Sequence, residues 1–384
     1  MAVQKEIWQR TIIEGLFADN AFLSKAVNDD MYVNEGKTVH IPNAGSPSGV
    51  VVNRDSYPAT VYARTDQDVN YTLDEITTNP VKIPYADQVE LSYNKRNSVI
   101  DQDRKALIES AAEAMLKNWC PDSDHRILTT GAGVPAWTPS ATGLRKKIRP
   151  ADVAALQLRF NADNVPQTDR YLLLDANMYQ QLLEGMTESQ AIGFFAAADV
   201  KRGVLGMLYS FEVMQRSTVL RFATDGTFKA KGADGAATDN AGALAWQRES
   251  LSRALGEVKM FDSIDNPLYY ADIYSFLVRV GGKIRRYDKK GVYAIVTDTA
   301  TAVTALELDD IDIDIAENGT QLVTATATPS GESANTRWSI SDETVATISA
   351  NQGASVTVTG VAAGQAVLKA TNGAQEVLAI VTVS

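Results

Sequence analysis

Two side chains in this sequence have a nucleophile-and-base spacing: Cys120 and His125 stand five residues apart across Pro121. A thiol activated by an imidazole could attack a carbonyl, but that chemistry also needs surroundings that favour the thiolate. A cysteine closing a helix and followed by a surface histidine is the commoner arrangement, and it is the expectation here. Asp310, Asp312 and Asp314 space like the opening of a calcium loop. The sixth position, where such a loop needs glycine, is Ile315, and the twelfth, where it needs glutamate, is Gln321. Alternating Ile311, Ile313 and Ile315 read instead as the dry face of a strand whose wet face carries the aspartates. Cys120 is the only cysteine, and His40 and His125 are the only histidines, so an intrachain disulfide and the usual zinc sites lack ligands. Phosphate-loop, dinucleotide, serine-hydrolase and zinc-protease motifs are absent, and nothing in the spacing of the 47 acidic residues selects an acid/base pair. The reading is a non-enzyme with no catalytic, cofactor-binding or metal-ligating residue and no cofactor.

What remains is a chain whose function must lie in its elements. Its 384 residues, 45% hydrophobic and 22% charged, have ordinary globular composition. At about 100 to 200 residues per domain this allows two or three domains. The start, Met1 to Trp8, carries no secretory core. No stretch approaches the roughly 18 uninterrupted apolar residues of a membrane span, so no membrane partner and synthesis in a cytoplasm are expected. The net charge of −11 is uneven. Residues 302–384 hold ten acidic and two basic residues, Arg337 and Lys369, a balance of −8; residues 1–301 hold 34 basic and 37 acidic, or −3. A near-neutral body lacks the Lys/Arg surplus with which a general nucleic-acid binder displaces counterions. Two basic runs, Arg145 to Arg149 and Lys283 to Lys290, read as solvated faces, with a subunit or phosphate contact as the alternative.

Apolar residues from Val3 to Leu23 suit one or two short amphipathic helices that pack on something. Between residues 31 and 93, Val, Ile and Tyr runs broken by Gly, Pro, Asn and Asp read as long antiparallel hairpins. Around Ser46-Pro47-Ser48-Gly49 there is little to bury, so this hairpin should project and need a partner. From Ser98 to Trp119 the period becomes helical, with Ser98 as a cap and Pro121 as the stop; at 1.5 Å per residue this is a spine of ~30 Å. A helix over Ala151 to Phe160, a strand over Tyr171 to Leu174, a helix over Asn177 to Gly185 and strand-like runs from Gly206 to Leu220 follow. Ala230 to Gly242 reads as an exposed flexible loop, Tyr269 to Val280 and Gly291 to Val296 as strands closing the body's sheet, and Thr297 to Thr301 as a linker. Residues 302–384, with about seven short strands and a central Trp338, suit an immunoglobulin-like sandwich without its disulfide.

Asn164-Val165-Pro166, then Arg170 to Asp175, then Met178 to Leu183, followed by Gly206 to Val213 and Ser217, resemble the middle of tailed-bacteriophage major capsid proteins of the Johnson (Hong Kong-type) fold. Trp338 to Asp342, Val345 to Ser349, Gly360 and Gly364 to Ala370 resemble bacterial immunoglobulin-like group 2 domains. The resemblance implies an α+β fold with an N-terminal arm over 1–30 and an extended loop, a β-hairpin, over 31–95. It further implies a peripheral domain with its spine helix over 96–149 and 271–301, an axial domain over 150–270, and an immunoglobulin-like domain over 302–384.

By the same resemblance the chain is a homo-oligomer, forming the hexamers and pentamers of an icosahedral head shell. Such a shell encloses double-stranded DNA without sequence-specific binding. No long charged helical segment precedes the arm, which implies a separate scaffolding protein; portal and cement proteins are further implied partners. Lys37 and Lys82 fall in the hairpin region, but no motif marks an asparagine for the lysine crosslink of some relatives, and none is expected. The acidic module would stand outside, on the virion, with a glycan or cell-surface ligand. Alternatives are a bacterial surface adhesin, because the terminal module is common there, and a nanocompartment shell enclosing a cargo enzyme.

Overall fold

The computed structural model describes residues 12–14, 16, 20–34, 37–43, 50–55, 57–59, 61, 67–84, 95–199, 203–229, 233, 235–300, 303–373 and 375–384. The first ten residues and the turn at Ser46 to Gly49 lie outside the described residues. Its longest helix, α1 (Lys95–Asn118), rises ~36 Å over 24 residues. Leu107, Ile108, Ala111, Ala112, Met115 and Leu116, three and four apart, form its buried stripe, with Trp119 just beyond the helix end. The helix starts three residues before Ser98, so the expected cap lies inside the first turn.

Two units make up the chain. The first spans Met1–Ile127, Val153–Ala233 and Ala241–Val296; the second spans Leu128–Asp152, Asp234–Asn240 and Thr297–Ser384.

In the first unit the strands Leu251–Asn266 and Ala271–Ile284 form a long antiparallel hairpin, bulged between Leu255 and Val258. Val27–Asn28 pairs in parallel with its first strand, while Asp74–Thr77 and Val81–Pro84 pair antiparallel with its second. A second sheet runs Gly206–Leu208, Phe211–Arg216, Arg170–Asp175, Asn240–Gln247, Val292–Val296, Arg126–Leu128, with Leu220–Phe222 also on Asn240–Gln247. All six residues of Arg170–Asp175 are buried. The runs at 269–280 and 291–296 therefore close two different sheets, not one, and Leu251–Asn266 belongs with the hairpin although it falls inside the 150–270 segment. Alternation marks a strand but does not say which neighbour it pairs with.

Three shorter helices accompany the second sheet: α2 (Pro150–Ala162), α3 (Ala176–Glu184) and α4 (Glu188–Ala196). Asp175 caps α3 through the amide of Asn177, and Thr187 and Gln190 close a capping box on α4. Ile12, Leu16, Phe22 and Leu23 of the N-terminal segment join the same core as α1 and the hairpin. Its centre is aromatic: Trp119 lies 5.9 Å from both Phe22 and Trp246. The Trp119 indole donates to the Ser252 carbonyl at 2.8 Å and the Trp246 indole to that of Lys25 at 3.1 Å. Gly282 is required beside this centre, since a Cβ there would meet the Trp119 nitrogen at 2.5 Å.

The second unit holds a small sheet and the sandwich. Gly133–Pro135, Leu144–Lys146 and Thr299–Ala300 pair antiparallel. The expected linker at 297–301 is thus partly a strand, with Thr297 buried and Asp298 bonded to Thr129 and Lys146. The basic run at 145–149 also differs from a solvated face. The Arg145 guanidinium is buried and donates to the carbonyls of Thr142, Leu144, Ala237 and Asp239, and Lys146 pairs with Asp298 at 2.9 Å. The same contacts pin the described part of the 230–242 loop, where the Asp239 carboxylate also accepts from the amides of Gly235 and Ala236.

The sandwich has eight strands among the described residues, in two sheets of four: Ala305–Leu308, Thr320–Thr328, Ser355–Gly360, Ala346–Ile348, and Asp312–Ile315, Gln375–Val383, Gly364–Asn372, Arg337–Ile340. The run 305–315 crosses from one sheet to the other, which adds a strand to the seven expected. Trp338 lies in the core, its indole donating to the Gly353 carbonyl at 2.8 Å.

Candidate subunit-contact surfaces

The pair singled out for nucleophilic chemistry is arranged for structure. Cys120 is half-buried, its thiol donating to the Pro121 carbonyl at 3.6 Å, and burial pushes its pKa up to about 11. A nucleophilic cysteine needs the opposite shift. His125 turns to Asp122, with Nδ1 2.6 Å from Oδ1, and stacks 5.1 Å from Tyr293. Burial pushes the Asp122 carboxyl up, but hydrogen bonds from Lys289 and His125 outweigh it and bring it to about 2. Lys289, Arg286 and Lys290 are each paired, with Asp122, Asp288 and Asp163, so much of the second basic run is neutralised locally.

Asp312 and Asp314 are exposed and Ile313 and Ile315 buried, the strand alternation, whereas Ile311, expected on the same dry face, precedes the strand and is exposed. Asp310 accepts from the amide of Asp312 and the side chain of Gln321. The Gln321 that breaks the calcium pattern thus satisfies the first carboxylate. Lys82 lies with its ammonium 5.9 Å from the Tyr269 ring.

The notable surfaces are apolar. Thr38–Asn43 and Gln67–Thr72 form an antiparallel pair, with Val33–Asn34 beside the first strand, so among the described residues Gln67–Thr72 is an edge. An edge can present backbone groups to another chain, although here the Asn70 carbonyl already accepts from Lys283 at 3.0 Å. The root of this pair is dry, Val39 and Val69 packing with Ala254 of the long hairpin. Beyond it, Val50 (92% exposed), Val51, Val52, Tyr57 and Val61 (93%) lie in water. Scattered exposed apolar residues are normal, but five within twelve positions on one connection are an unusual density.

A second patch is the turn of the long hairpin, where Leu268, Tyr269 and Tyr270 are exposed. Its backbone is held by the Asn266 carboxamide, which accepts from the Leu268 amide at 3.0 Å, and by Asp272, which accepts from that of Asp265. A third combines Ile192 and Phe195 of α4 with Met207. Beneath it, Gly206 leaves room for the buried Phe194 ring.

Sequence reasoning missed the groups that lock these elements. Arg170 is buried without a carboxylate: it donates to the carbonyls of Val165 and Pro166, to Asn161 and to Ser210, and its guanidinium sits over Phe160 and Phe211. It clasps the Asn164-Val165-Pro166 turn, which gives that phrase a physical role. Asp175 and Arg221 form a buried ion pair at 2.8 Å.

No helix among the described residues is long and apolar enough to cross a membrane. Residues 302–383 match the sequence family described as Bacterial Ig-like domain (group 2). No curated protein matches the chain. Among solved structures, the capsid of Ralstonia phage GP4 is similar at 14% identity and a TM-score of 0.52, over 72% of this chain and 88% of that one. The capsid structure of the cyanophage P-SCSP1u is similar at 16% identity and a TM-score of 0.50, over 72% and 87%. The fold is thus α+β and resembles that of phage capsid proteins, followed by an all-β immunoglobulin-like sandwich.

Proposed function

We propose that the chain is a major capsid protein whose hexamers and pentamers close into an icosahedral head shell around double-stranded DNA. The observation that carries this reading is the exposed apolar connection between Thr38–Asn43 and Gln67–Thr72, on a chain with a capsid fold. Each valine or tyrosine moved from water into a neighbour's surface is worth on the order of 1.5–3 kcal/mol. Repeated around a closed lattice, such modest contacts hold a shell. The function then lies in contacts between copies, and no bond is made or broken.

The near-neutral balance of residues 1–301 suits a wall that encloses DNA without sequence-specific binding. The acidic residues 302–384 face the exterior of the virion, away from packaged phosphates, where they attach to glycans or cell surfaces. Assembly takes place in the host cytoplasm with a scaffolding protein and a portal, and with cement proteins where the shell needs them.

Electron microscopy and sizing of the full chain, expressed with and without its neighbouring genes, test the reading. Closed particles of uniform size are expected. A strictly monomeric product under all such conditions would overturn it. Nuclease-resistant DNA in native particles separates a head from a nanocompartment that holds a cargo enzyme.

A further inference from the structure

Asp29 is 0% exposed, and among the described residues its carboxylate has only Ser252 and Arg285 as nearby donors, neither forming a well-aligned hydrogen bond. Its backbone amide donates to the Arg253 carbonyl at 2.8 Å, continuing the parallel pairing of Val27–Asn28 on Ser252 and Arg253. The charged and titratable groups around it come from every element of the junction. Asp30, next in the chain, accepts from the Leu255 amide at 2.6 Å and lies 3.9 Å from Arg253 on the first hairpin strand. Arg285, just past the second hairpin strand, is 4.0 Å away. Ser252 stands beside it and bonds to Tyr71 of the Gln67–Thr72 strand and to the backbone of Lys283. Three segments therefore meet at one buried carboxyl: the N-terminal segment 27–34, the base of the long hairpin, and the root of the strand pair.

We propose that the charge state of Asp29 sets how tightly segment 27–34 is seated on the hairpin base, so that this junction tightens on acidification. Burying an ionised carboxylate is costly, and Arg285 at 4.0 Å, Ser252 and Arg253 offset this only in part while Asp30 repels it. When the segment lifts, the carboxylate regains water. The ionised form thus favours the lifted state and the neutral form the seated one. Burial, first among the causes, raises the Asp29 pKa above its ordinary 3.8. Seating is therefore strongest below the ordinary carboxylate range and weakens as pH rises through the raised value. Tyr71 carries the effect toward the strand pair; burial pushes its own pKa up to about 12, so it stays neutral throughout. This inference does not rest on the shell reading.

Hydrogen–deuterium exchange on the full chain, held in one oligomeric state from about pH 4 to 8 and corrected for intrinsic rates, tests it. Protection of residues 27–34 and 252–255 should be greatest at the acid end. It should fall with pH by up to about tenfold for each unit separating the seated and lifted pKa values. Asp29→Asn should hold protection at its acid-limit level across the range. Asp30→Asn, which keeps the buried carboxyl and removes its repelling neighbour, should retain the trend with its midpoint shifted down. A flat wild-type profile, an unaltered trend in Asp29→Asn, or loss of the trend in Asp30→Asn would each overturn the proposal.

Discussion

At the residue scale the molecule is held by polar groups that have been taken out of water and matched. Asp175 is the clearest case, capping α3 with one oxygen and meeting Arg221 with the other. Arg221→Leu leaves a buried charge unpaired and should cost about 3–5 kcal/mol, seen as a lower denaturation midpoint. Adding Asp175→Asn should recover part of that loss, because the two side chains act as a unit. Asp122 supplies a pH dependence of the usual carboxylate sign. With its pKa held at about 2, its contribution is complete above the ordinary carboxylate range and disappears as pH falls toward 2. Asp122→Asn should flatten that part of the acid-unfolding curve, and an unaltered curve would show that Lys289 and His125 stabilise nothing through it.

At the element scale the sequence was most legible where one period ran long enough. The helical stripe from Leu107 to Trp119 and the dry strand at Tyr171 to Leu174 could be located from their spacing alone. Close fits between elements could not. Gly206 is an ordinary strand residue by sequence, yet a Cβ there would come 2.5 Å from the Phe194 ring. Gly206→Ala should therefore destabilise by about 1–3 kcal/mol in thermal unfolding, through displacement of that ring. The valines at 50–52 make the opposite case. Replacing all three by serine should leave the unfolding midpoint nearly unchanged, since each is exposed, while the yield of closed particles by sizing falls sharply. A drop in stability with assembly intact would move these residues from the contact surface into the fold.

At the scale of the whole molecule, the sandwich has its own core, from Leu306 to Val383. Deleting residues 302–384 should accordingly leave a chain that still forms shells, scored by electron microscopy. Failure to assemble would make the module part of the wall. By itself the sequence determined the fold class of this protein, because composition, the placing of charge and the two periodicities are local properties of a chain. It also marked a hairpin over 31–95 with little to bury at its tip; that Val50 to Val61 stand exposed is seen only in the structure. Only the tertiary structure decided which strands share a sheet, that Arg145 and Arg170 are interior clasps, and that Asp29 is dry. Those outcomes depend in part on residues tens to hundreds of positions apart reaching hydrogen-bonding distance or excluding water from one another, as Arg145 does with Asp239 and Arg170 with Ser210, and no short window along the chain contains both partners.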